Sequence, residues 1–184
     1  KEKPDIMIGD SDMKDVQSNP CTACPGHCCS RTVINACGYD AWAIARGLEI
    51  DPMDFLAFAR LEEETPYNFR LDGSGISYHL ALNMNLHADG VRRCIFGIVL
   101  PRGQVRCGIY ELRPLGCRNY PFVSGENGPA MKPWAFCPEH AWDSPHLDLS
   151  LLKGQLARSD MEFCIYGLAV TAWNENAAER PPLE

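Results

Sequence analysis

Apolar and polar positions divide the chain into a helical front part, a strand-like middle and a helical end. In 40–46, Ala, Trp and Ile stand among helix formers, which predicts a short helix closed by Gly47 in the place of a C-cap glycine. Across 51–64, Asp51 suits an N-cap, Pro52 the first helical position and Asp54 the first turn. Phe55, Phe58, Ala59 and Glu62 then recur at helical spacing, and a second helix is predicted. After Pro66 the period shortens. The stretches 76–86 and 94–100 read as strands, and Pro101, Arg102 and Gly103 as the turn of a hairpin returning over 104–109. Five prolines between 110 and 138 leave room for about one helical turn. From 147 to 173, Leu151, Leu152, Leu156, Phe163, Ile165, Leu168 and Val170 predict one or two helices, with a break near Gly154 or Ser159. The first twenty residues hold four aspartates and few apolar side chains, and read as a loosely held arm.

A length of 184 residues fits one domain, and a hydrophobic fraction of 46% can build a core without disulfides. The formal charge of −7 argues against a surface that grips nucleic acid or anionic membrane over its whole extent. The longest apolar run, 95–100, falls far short of the roughly 18 residues of a membrane span, so no membrane partner is expected. Residues 1–20 lack the apolar segment of a secretory leader. A cytoplasmic, reducing location is therefore expected, where clustered cysteines hold metal more often than disulfides.

Ten cysteines make up about 5% of the chain, too few for a disulfide scaffold and too many for incidental core residues. Cys21, Cys24, Cys28 and Cys29 form C-x2-C-x3-C-C, and two-residue spacing lets both thiolates of a tight turn face one ion. Four cysteines in nine residues cannot all face a core, so 21–29 reads as a knuckle-like loop shaped by what its sulfurs bind. Cys94, Cys107, Cys117 and Cys137 fall at the ends of the predicted hairpin and in the proline-broken loops beyond it, where loop ends can converge. Eight thiols suffice for one polynuclear centre, two four-cysteine zinc sites, or one iron–sulfur cluster with spare thiols, and spacing does not choose between these. Cys37, and Cys164 on the apolar face of the last helix, read as buried, inert thiols.

The first block is followed by C-x-F at Cys94 and Phe96, and then by C-x-I-Y-x2-R-P-x2-C-R-x-Y-P. That longer motif spans Cys107, Ile109, Tyr110, Arg113, Pro114, Cys117, Arg118, Tyr120 and Pro121, and Cys137 with Pro138 closes the series. The whole pattern, about two thirds of the chain, resembles the YkgJ-type cysteine-cluster family, and the resemblance implies a domain that chelates zinc or iron. A similar region occurs in flagellin lysine methylases, which implies an iron–sulfur centre. The chain departs from the pattern in the three-residue gap between Cys24 and Cys28, where two is common. His27 lies in that gap, as a ligand, a donor to sulfur or a loop residue.

Arg92, Arg93, Arg102, Arg106, Arg113 and Arg118 stand against the single acid Glu111 in 91–118, a basic patch in an acidic chain. Guanidinium groups offset the charge of thiolate ligands, the role that suits Arg113 and Arg118 inside the motif. They also hold carboxylates or phosphates, the role that suits Arg92, Arg93 and Arg102 toward an anionic ligand or acidic partner. His140 forms C-x2-H with Cys137 and is a further candidate, while Tyr110 and Tyr120 can donate hydrogen bonds to sulfur. His79 and His87, on or after a predicted strand, pack or face water, or supply nitrogen to a mixed iron shell. No Walker loop, GxSxG elbow or HExxH motif is present.

These observations predict a small single α+β domain with a short antiparallel sheet, flanking helices and metal-tied loops. Residues 1–20 form its arm, 21–140 a cysteine-cluster core and 141–184 a helical segment of the same domain. Eight cysteines hold iron, with an iron–sulfur cluster favoured, or Zn2+. Three roles stay open: an enzyme acting on a small-molecule or protein substrate held by the arginine patch, a zinc-stapled interaction module, or a metal or cluster carrier.

Overall fold

A computed structural model describes residues 25–60, 65–137, 142 and 147–181. The expected arm over 1–20 lies outside the described residues. The fold is α+β, with helices around short antiparallel sheets.

Helix α1 (His27–Arg31) is followed by α2 (Gly38–Leu48), whose N-terminus is closed by a capping box between Cys37 and Asp40. Gly47 does not end α2. The helix runs on to a left-handed cap at Glu49, φ 55°, and Gly47 serves instead as a gap for a neighbour: a Cβ there would lie 2.6 Å from Leu112 Cδ1. Asp51 caps α3 (Pro52–Phe55) as expected, accepting a hydrogen bond from the Met53 N–H at 2.8 Å. The helix predicted over 51–64 stops there, and Leu56–Arg60 is strand β1. Phe55 is fully buried, and the residues after it pair in register with β3 (Ser77–Leu82), from Leu56 opposite Leu82 to Arg60 opposite Tyr78. Sheet pairing thus overrides a helical spacing that few residues carried.

Strand β2 (Phe69–Arg70) completes a sheet of order β1-β3-β2. The strand expected over 76–86 is broken at Asn83, whose N–H donates to the Phe55 carbonyl at 2.8 Å while its carbonyl accepts from the Ile95 N–H at 2.9 Å. Beyond the break, β4 (Met84–Leu86) pairs with β5 (Arg92–Cys94). The strand expected over 94–100 is divided likewise. Cys94 ends β5, and β6 (Gly97–Val99) forms the anticipated hairpin with β7 (Val105–Cys107), turning at Gly103 with φ 78°. A 3-10 turn at Tyr110–Leu112 leads into α4 (Leu115–Asn119).

A hairpin of β8 (Phe122–Gly125) and β9 (Gly128–Met131) occupies part of the span read as irregular. The last helix, α5 (Leu149–Glu175), is one unbroken element of 27 residues capped by Asp148. Ser159 is buried within it and Gly154 faces open space, so neither breaks it. Ile34, Ile44, Phe55, Leu82, Cys94 and Ile109 form a core cluster between α2, α3 and the strands. No helix among the described residues is long and apolar enough to cross a membrane.

Candidate metal centre

The site is built where α1 meets the two central hairpins. Gly26, the N-cap of α1, has φ 82°, and a Cβ on it would lie 2.4 Å from the Val105 Cβ. A glycine is needed on both counts, and its use seats α1 directly against β7. On its other side α1 packs against β5. Cys28 and Cys29 are therefore half-buried at this junction, with their sulfurs 3.9 Å apart. The expected knuckle loop over 21–29 is here the start of a helix, and Cys21 and Cys24 lie outside the described residues.

Strand register brings the other thiols to the same place. Cys94 ends β5 opposite Met84, Cys107 ends β7 opposite Gly97, and the Gly108 N–H donates to the Phe96 carbonyl at 2.8 Å, extending the β6–β7 pairing past Cys107. Cys117 sits in the middle of α4. Cys94 belongs to the core cluster, and Cys29, Cys107 and Cys117 pack against it.

These thiols feel one another. Burial pushes Cys94 up to about 11, and Cys107 and Cys28 add to the rise. Burial raises Cys117 further, reinforced by Cys94, Cys28 and Cys107. Cys28 is raised most by its hydrogen bond with Cys29 and next by burial, and Cys107 is raised by burial and by Cys28. A cation that binds thiols so clustered must displace their protons, and its charge then offsets the mutual repulsion of the thiolates. Soft sulfur donors suit zinc and iron. The Cys28–Cys29 separation of 3.9 Å also lies near the edge of about 3.8 Å that 2.3 Å zinc–sulfur bonds give in a tetrahedron. Among the described residues no three ligating side chains close around one ion position, so the fit lies in donor chemistry and convergence.

Cys137 is half-buried on the loop after β9. The preceding Phe136 N–H donates to the Tyr120 phenol oxygen at 2.5 Å, and the Arg31 guanidinium lies 5.8 Å from the Phe136 ring centroid. These contacts tie its segment to α1 and to the end of α4. His140 lies outside the described residues, and His27 is half-buried at the first position of α1.

Arg113 stacks over Tyr110 at 3.8 Å and donates from Nε to the Tyr110 carbonyl at 3.1 Å. Its charge acts to lower the thiols of Cys107 and Cys117, against the burial that raises them. Arg118 donates to the carbonyls of Arg113 and Glu111, bracing α4 on the 3-10 turn. Arg93 differs from its expected outward role. It is buried and pairs both guanidinium nitrogens with the two Asp89 oxygens at 2.9 and 2.6 Å, holding that carboxyl well below the usual range. Arg92 and Arg102 are exposed.

Cys37 is fully buried, with its thiol pushed up to about 11 by burial and then by Asp40, in keeping with an inert core thiol. Cys164 is exposed on α5 and not on a buried face. The buried stripe of α5 passes through Leu152, Leu156, Ser159, Gly167 and Val170, and Cys164 falls on another side of the helix. Sequence reasoning missed Asp40, a buried carboxylate touching both α2 and α4. The signal for half of its role was present in Cys37-Gly38-Tyr39-Asp40, which has the spacing of a capping box.

Thiols from α1, α4 and the ends of two hairpins, gathered at the rim of a small α+β core, define a cysteine-rich metal-chelating domain. The chain belongs to the CxxCxxCC family, the zinc- or iron-chelating domain, whose profile matches residues 20–138. No curated protein and no solved structure matches it.

Proposed function

We propose that Cys21, Cys24, Cys28, Cys29, Cys94, Cys107, Cys117 and Cys137 hold a thiolate-bound iron centre, an iron–sulfur cluster, in a cytoplasmic protein. The observation that carries this reading is the convergence of Cys28, Cys29, Cys94, Cys107 and Cys117 from four elements on one rim of the core. Eight thiols exceed what one four-coordinate ion uses, and the pairs Cys24-Pro25 and Cys137-Pro138 are of the kind found in cluster-binding loops. Bound iron supplies electron transfer or Lewis acidity. Zinc is the second reading, supported by the tetrahedral edge between Cys28 and Cys29, and would act as a staple.

The chain's own residues tune the centre. Arg113 favours the thiolate forms of Cys107 and Cys117, and Tyr110 holds the guanidinium in place under its ring face. Exposed Arg92 and Arg102 would draw an anionic substrate or acidic partner toward the hairpins. Cys28→Ser and Cys117→Ser should each lower bound metal and folded yield, read by elemental analysis and gel filtration, while Cys164→Ser leaves both unchanged. Full metal content in both ligand variants would overturn the assignment.

A further inference from the structure

Helix α4 carries Cys117 but lacks the means to hold itself. It has five residues, too few for a helix that stands alone, and its N-cap is Pro114, which offers no side-chain oxygen to the first free N–H groups. The Pro114 carbonyl accepts from the Cys117 and Arg118 N–H groups at 2.9 and 3.0 Å, while the Leu115 N–H points the other way. Its acceptor is Asp40 Oδ1 at 2.9 Å, 75 residues away in sequence. The other carboxylate oxygen, Oδ2, accepts from the Cys37 N–H at 3.0 Å at the start of α2. Asp40 is 3% exposed, and a carboxylate so placed is retained in a core only where its oxygens are used. Both are used on the backbones of two helices, and one of these bears a thiol of the candidate centre.

We propose that Asp40 is a positioning residue for the metal centre, fixing Cys117 by serving as the remote N-cap of α4. The inference rests on the thiolate-centre reading and adds to it a residue that touches no metal. Alanine at 40 would leave two buried N–H groups without acceptors. Asparagine keeps one acceptor oxygen and the packing, so it loosens one of the two helices while the fold is retained. Once the Leu115 N–H has lost its acceptor, the Cys117 thiol would wander while Cys94 and Cys107, held by strand register, stay in place.

The full chain carrying Asp40→Asn, Asp40→Ala, Cys117→Ser or Asp40→Ala with Cys117→Ser answers the question in two measurements. In competition with a chromophoric chelator for zinc or ferrous iron, Asp40→Ala should weaken binding about 10- to 100-fold, the usual effect of losing a group that orients a ligand. Asp40→Asn should fall between Asp40→Ala and wild type, and Asp40→Ala should add little once Cys117 is Ser. Val170→Ala, which opens a cavity near the end of α5 that packs on β2, controls for general loosening and should leave affinity close to that of wild type, since it removes no group that orients a ligand. In metal-free protein, alkylation followed by peptide mass spectrometry should show Cys117 reacting faster in Asp40→Ala, which frees the Leu115 N–H, with Cys107 unchanged. Unchanged Cys117 alkylation, or an undiminished effect of Asp40→Ala in the Cys117→Ser background, overturns the inference and leaves the metal reading standing. A wild-type chain that takes up neither zinc nor iron, with or without sulfide supplied, overturns both.

Discussion

His79 lies in the middle of β3, 5% exposed, and among the described residues neither ring nitrogen has a hydrogen-bond partner. Burial lowers its pKa below the ordinary 6.5, so the folded protein keeps the ring neutral. As pH falls through about 6.5 the unfolded chain takes up a proton that the folded chain refuses, and stability is lost toward acid. His79→Leu removes both orphaned nitrogens and the titration. Its gain in urea midpoint over wild type should be larger at pH 5 than at pH 8, and equal gains would show that His79 does not titrate between the two states. At this scale the sequence told unevenly. Cys37 was legible as a core thiol because nothing around it suggested a metal spacing. Asp40 was half legible, since its bond to Cys37 is local and its bond to Leu115 crosses 75 residues. Arg93 looked free to meet a partner because its mate, Asp89, faces it only once the β4–β5 hairpin has formed.

Among the elements, α1 depends on Gly26 more than on its own five residues. Gly26→Ala places a methyl 2.4 Å from the Val105 Cβ and forces an L side chain to φ 82°. Left-handed strain of about 1–2 kcal/mol and overpacking of about 1–3 kcal/mol make a loss of roughly 2–5 kcal/mol in urea unfolding the expected outcome, with metal content falling as α1 leaves β7. A loss under about 0.5 kcal/mol, the scale of a neutral surface change, would mean that α1 is not held by this contact. The caps were readable at this scale, as Asp51 with Pro52 shows, and extents were not. Phe55 and Phe58 suit a helix by spacing, yet the pairing partner that makes a strand of 56–60 lies some twenty residues on. The β8–β9 hairpin had its own signal in Asn127-Gly128, where Gly128 has φ 115°, but the prolines on either side masked it. Gly154 and Ser159 look like helix breakers and are absorbed because tertiary packing holds α5 on both sides of them.

For the whole molecule, the α+β class followed from the change of period near residue 66, and the approach of Cys94 and Cys107 followed from their places at strand ends, whereas Cys117, read as a loop residue, arrives on helix α4. What spacing left open is the metal, because thiols at these separations serve zinc and iron alike. A metal held by these thiols would have a structural task in either case, since the thiols belong to four elements joined by short sheets and short helices. Zinc or iron, acid-labile sulfide and the visible absorption spectrum of protein purified without oxygen test this account most directly. Iron with matching sulfide and a charge-transfer band is the predicted result, and near-stoichiometric zinc in a colourless sample would move the centre to the staple reading. A chain that carries neither metal and whose cysteines all react freely with a thiol reagent would contradict the existence of the centre.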